Sequence, residues 1–131
     1  MKWSEAYATG VERIDEQHRM LFKLSEDYRS ALDEGHGERV YGSLLQSLNL
    51  YARSHFKFEE GCMERCHCPA AQTNKDAHAG FVAFLKRFDE RFAAGGFNAE
   101  DAHTLTDTID RWLSDHICRI DVQLRDWVGK T

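Results

Sequence analysis

Apolar residues recur along this chain at steps of three and four, the spacing of one face of an α-helix. Leu21, Tyr28 and Leu32 form such a stripe with His18 and Ser25, and it predicts a helix from about Asp15 to Glu34. A second helix is expected from Glu38 to Arg65, burying Val40, Leu44, Leu48, Tyr51, His55 and Cys62, with Glu59 one turn beyond His55. A third, from Ala71 to Ala94, carries Asn74, His78, Phe81, Leu85, Phe88 and Phe92 on one face. The fourth starts after Asn98, an N-cap type followed by Glu100 and Asp101, and its stripe is Leu105, Ile109, Trp112, His116 and Ile120. Between the helices lie the breaks "EGHGE", the single proline Pro69 and "AAGGFN". Four amphipathic stripes with short connections predict an all-α fold: an up-down-up-down antiparallel four-helix bundle with an N-terminal extended arm.

Polar residues interrupt these stripes at one level of the expected bundle. The start of the first helix, the end of the second, the start of the third and the end of the fourth share one end of an antiparallel bundle. His18, His55, Glu59, His78, His116 and Asp121 all fall in those halves. Positions four apart face the same way, so His55 pairs with Glu59 and Asn74 with His78. His116 and Asp121 are separated by about 140° on an ideal helix, so a long side-chain reach or a local π-type widening is needed to join them.

Burying unpaired imidazoles and carboxylates is costly, and metal coordination is a general escape. One core histidine is usually packed and hydrogen-bonded. Four histidines and two carboxylates at matching depth on four helices ask for more. The set suits a first-row ion such as iron or manganese better than calcium, which takes oxygen ligands, or structural zinc, which favours thiolates. Two carboxylates among four imidazoles suit two metals, each carboxylate bridging the pair, with iron the leading candidate. Phe81, Phe84, Phe88 and Phe92 read as core that walls the site.

At 131 residues the chain has the length of one domain spanning 1–131, able to bury roughly two-thirds of the surface its unfolded form exposes. Its net charge of -5, with acids and bases interspersed, disfavours nucleic acid and anionic membranes as partners. No run approaches the ~18 apolar residues of a membrane span, and "MKWSEAYATG" lacks the basic-then-apolar order of a secretory signal. A soluble, cytoplasmic monomer is expected. Three of the four cysteines crowd into "CMERCHC", a poor disulfide framework and not the paired spacing of a zinc knuckle, so reduced thiols are expected, with Cys62 and Cys118 as small fillers or surface thiols. Glu64 with His67 and Glu100 with His103 repeat the Glu-x-x-His pattern of ferritin-like di-iron bundles, but they fall at opposite ends of the bundle. His36, His67 and His103 are therefore expected at the surface.

Four stretches in order and spacing, "WSEAYATGVERIDEQHRMLF", "HFKFEE" followed by Met63, "CPAAQTNKDAH" and "WLSDHICRID", resemble the hemerythrin family, specifically its bacterial branch. The resemblance runs from Trp3 to about Trp127. It implies a non-haem di-iron centre, oxo- or hydroxo-bridged, that binds dioxygen. In that pattern His18 and His55 hold one iron, His78 and His116 the other, and Glu59 and Asp121 bridge both. Trp112 and Leu113 line the oxygen pocket. The family pattern on the third helix is His-x-x-x-His, and "NKDAH" places Asn74 where a further histidine is expected, as a weak ligand or none. The tyrosine expected before Pro69 is Cys68.

With two protein histidines each, both irons keep open positions. That ligand count favours rapid autoxidation, and access of peroxide, nitric oxide or azide, over reversible oxygen carriage. A thiolate of Cys66 or Cys68 is a candidate replacement for the missing imidazole. The expected function is an oxygen or redox sensor, of the kind excised from a larger signalling chain, that signals to an output domain or partner protein. An oxygen carrier or store, and a peroxidase or nitric-oxide-reactive enzyme, are the alternatives; no side chain in the motifs marks a general acid or an organic-substrate pocket, so no catalytic residue is assigned.

Overall fold

The computed structural model describes residues 2–127. Four α-helices, α1 (Glu12–Asp33), α2 (Gly37–Arg65), α3 (Ala71–Gly95) and α4 (Ala99–Trp112), build a bundle, and no strand occurs among the described residues. The longest, α2, packs along both α1 and α3, while α4 lies against α1 and α2. The apolar stripes meet in the middle, where Leu21, Leu48, Leu85, Leu105 and Ile109 are buried. Each such side chain contributes roughly 1.5–3 kcal/mol by leaving water.

Helix ends follow local chemistry. Asn98 caps α4 as its residue type predicts, its side-chain oxygen accepting from the Asp101 amide at 3.0 Å. Gly35 and Gly96, with φ of 81° and 74°, turn the chain out of α1 and α3 through the left-handed region. The first helix begins at Glu12, ahead of the expected Asp15. Asp15 lies inside its first turn and reaches back: Oδ1 accepts from both the amide and the hydroxyl of Thr9 at 2.8 Å. That contact pins the N-terminal arm, which is extended apart from one 3-10 turn at Glu5–Tyr7 and rests Trp3 and Tyr7 on Phe22.

One residue expected in the α2 core is not there, and two lie at its margin. Val40 is exposed, because Tyr41, the next residue, takes the inward direction; Tyr51 and Cys62 are half-buried. The fourth helix departs from regularity after Trp112. It widens into a π turn, Leu113–Ile117, in which the Cys118 amide bonds to the Leu113 carbonyl at 3.2 Å, and it resumes as a 3-10 stretch, Asp121–Asp126.

The buried polar residues lie between two apolar bodies. On one side is the main core, and on the other a small cluster of Ile14, Met63, Cys66, Cys68, Ala70 and Leu124. Water is thereby kept from both ends of the polar layer. No described helix is long and apolar enough to cross a membrane.

Candidate metal centre

The bundle brings all six expected ligands, His18, His55, Glu59, His78, His116 and Asp121, into one buried layer, with Asn74 beside them. They form two overlapping quartets, His18–His55–Glu59–Asp121 and Glu59–His78–His116–Asp121, whose ligating atoms all lie within 4.8 Å of one another in each. Helical spacing accounts for His55 with Glu59 and for Asn74 with His78. The π turn accounts for the rest: it rotates the chain so that His116 Nε2 comes within 3.0 Å of Asp121 Oδ1 across five positions.

Each carboxylate turns its two oxygens to different histidine pairs. Glu59 Oε2 lies 3.1 Å from His18 Nε2 and 3.4 Å from His55 Nε2, while Oε1 is 3.2 Å from His78 Nε2. Asp121 Oδ2 is 3.2 Å from His18 Nε2, and Oδ1 faces His116. Within each pair the ring nitrogens approach closely, at 3.0 Å for His18 and His55 and 3.2 Å for His78 and His116.

Electrostatics follow from this crowding. Burial opposes a charge on His18, yet hydrogen bonds to Asp121 and Glu59 outweigh it and lift the ring to about 9. For His55 burial wins and the ring's pKa falls below its ordinary value. His78 is raised: burial works against its charge, but Glu59 and Glu60 prevail. Glu59, although burial opposes its ionisation, is held well below the usual carboxylate range by His18, His55 and His78. Several buried nitrogens and oxygens therefore compete for few protons. Glu59 Oε2 and both Asp121 oxygens have no hydrogen-bond partner among protein groups outside these imidazoles, a donor set that two cations would satisfy.

Further side chains hold the rings. His55 Nδ1 meets Gln17 Oε1 at 2.6 Å, and His78 Nδ1 meets Glu60 Oε2 at 2.8 Å. Phe56 stacks on His78 at 3.8 Å, Trp112 on His116 at 3.9 Å and Tyr51 on His55 at 4.7 Å. Leu113 is fully buried, and Trp112 lies against both Phe56 and Phe81. Trp112 and Leu113 thus lie at the layer where the sequence placed them. Gln17, Glu60 and Phe56 were not singled out, and Tyr51 was read only as core. Each is a neighbour of a ligand in sequence or one turn from it, which was the signal available.

Asn74 is fully buried, and its Nδ2 donates to Glu59 Oε1 at 3.0 Å while its own oxygen has no partner. Neither Cys66 nor Cys68 belongs to the quartets; both face the small apolar cluster, where burial pushes the Cys68 thiol up. His36, His67 and His103 are exposed.

An all-helical bundle that gathers four imidazoles and two carboxylates into overlapping quartets defines a buried cation-binding protein. Residues 9–128 match the family described as the hemerythrin HHE cation binding domain, and the chain belongs to that family. Relatives named bacteriohemerythrin are similar along most of its length. That of Stenotrophomonas maltophilia is 29% identical over 126 residues, covering 96% of this chain and 80% of the relative. That of Pseudomonas aeruginosa is 28% identical over the same shares, and that of Methylococcus capsulatus is 28% identical over 92% of this chain and 91% of its own. Membership implies a di-iron centre, and the quartets are able to bind metal.

Proposed function

We propose that this chain is a single di-iron unit that senses oxygen or redox state. His18 and His55 would hold one iron, His78 and His116 the other, and Glu59 and Asp121 would offer a carboxylate oxygen to each. The observation that carries the assignment is the split of each carboxylate, one oxygen toward each histidine pair. Bound iron supplies a one-electron redox change at each metal and open positions for dioxygen or another small ligand.

The protein's own part is to hold the rings, exclude water and limit the ligand count. Phe56, Phe81, Trp112 and Leu113 wall the layer with apolar surface, which admits small ligands and disfavours large polar ones. Asn74 occupies the family's position for a further histidine and donates to Glu59, so the second iron gains no third imidazole. A centre short of imidazoles autoxidises readily, which suits a sensor that reports to a signalling domain or partner protein better than a carrier.

The test is iron stoichiometry with an optical spectrum on one sample, reduced without oxygen and then mixed with it. Two irons per chain and a short-lived oxygen-dependent band are expected. A band lasting many minutes would turn the reading to oxygen carriage, and substoichiometric iron with no band would overturn the two-iron assignment.

A further inference from the structure

Tyr51 carries a feature that packing alone does not require. Its ring stacks on His55, and an open cleft of about 460 Å³ between α1 and α2 reaches the same two residues. A tyrosine beside such a cleft can keep its body in apolar surroundings and direct its hydroxyl to water. Here the hydroxyl is buried, with no hydrogen-bond partner. A phenylalanine would fill the same volume without the orphaned group.

A second buried donor lies next to it. The Trp112 indole Nε1–H is directed at the Tyr51 hydroxyl oxygen, without a well-formed hydrogen bond, which leaves the hydroxyl's own proton unspent. Tyr51 covers a ring of the His18 and His55 pair, while Trp112 covers His116 of the other pair. The two side chains thus meet beside the metal layer from rings stacked on opposite histidine pairs, with Trp112 packed against Phe56 and Phe81. An acceptor at that layer would take the hydroxyl's proton.

We infer that the Tyr51 hydroxyl, its oxygen held by the Trp112 indole N–H, donates a hydrogen bond to a small anion or polar diatomic ligand bound at the metal centre. Tyr51 is then a positioning and selectivity residue, favouring ligands that carry negative charge or an exposed lone pair once bound. This rests on the di-iron reading above.

Azide is the probe, titrated into the oxidised, iron-loaded chain and into Tyr51→Phe, with binding read from the optical azide-to-iron band and from the infrared azide stretch. Iron content and thermal melting are measured on both proteins. Tyr51→Phe is expected to keep two irons and its melting temperature, to bind azide about tenfold more weakly, the loss of one hydrogen bond to a charged acceptor, and to shift the azide stretch. Equal affinity and an unmoved stretch would overturn the inference while leaving the di-iron reading intact. Loss of iron in the variant would also overturn it, by making Tyr51 a support for the metal layer. A parent protein that holds no iron pair, or shows no azide band, would remove the di-iron reading and this inference together.

Discussion

The two halves of the metal layer have the same number of histidines and different surroundings. His55 is anchored by the neutral amide of Gln17, lies under Tyr51 and borders the α1–α2 cleft. His78 is anchored by the carboxylate of Glu60 and covered by Phe56, with Trp112 over its partner His116 and Asn74 one turn away. A carboxylate on the far nitrogen makes an imidazole a stronger donor than an amide does. The His78 half therefore has the more basic ring and the tighter aromatic cover. Equal ligand counts conceal this difference, which resides in residues that touch the ligands rather than the metals.

The most drastic way to break the comparison is to remove what the halves share. Glu59→Ala is expected to reduce iron from two per chain to less than one by elemental analysis, with helix content by circular dichroism retained; two irons in that variant would mean that Asp121 bridges alone. Next in size is an exchange of anchors. Glu60→Gln makes both anchors neutral and should weaken metal binding about ten- to a hundredfold at the His78 half, measured by competition with a chelator, whereas Gln17→Glu should tighten the other half. A change of similar size at both metals in either variant would show that the anchors do not distinguish them. Asn74→His sharpens the comparison by giving the His78 half a third ring. Its oxygen-dependent band should persist several-fold longer in stopped-flow spectra, and an unchanged lifetime would acquit Asn74 as the weak point.

The six converging residues were legible because each rests on a rule of helical spacing plus the order of an antiparallel bundle. His116 and Asp121 exposed the limit of that rule. Their five-residue gap demanded a widening, but nothing in "WLSDHICRID" says which peptide shifts, since a π turn is settled by packing against the other helices. α1 starts three residues ahead of Asp15, whose side chain ties back to Thr9 across the loop, a contact that helical spacing does not reveal. Val40 was misjudged at a helix end, where a neighbouring aromatic competes for the inward direction. Glu60 and Gln17 escaped notice for another reason: Glu60 is partly exposed and reads as a solvated face, and its role depends on α3 approaching α2.

The smallest effect separates the rings within one half. In the metal-free chain His18 is lifted from 6.5 to about 9, because Asp121 and Glu59 overcome its burial, while burial lowers its neighbour His55. One proton is thus held on the His18 side of the pair. A group whose folded pKa lies above its unfolded value stabilises the fold fully below the unfolded value, and that contribution is lost as pH rises through the folded one. His18 therefore makes the metal-free protein less stable as pH rises from 6.5 to about 9. His55 acts in the opposite sense, its contribution being lost as pH falls below its ordinary value of 6.5. Iron must displace the His18 proton to bind, so loading should release protons and the iron-loaded protein should lose this slope above neutrality. Melting temperatures of both forms from pH 6.5 to 9 measure it, with a decline of a few degrees expected only without iron. Parallel curves would mean that the two rings of the pair are not held in different protonation states.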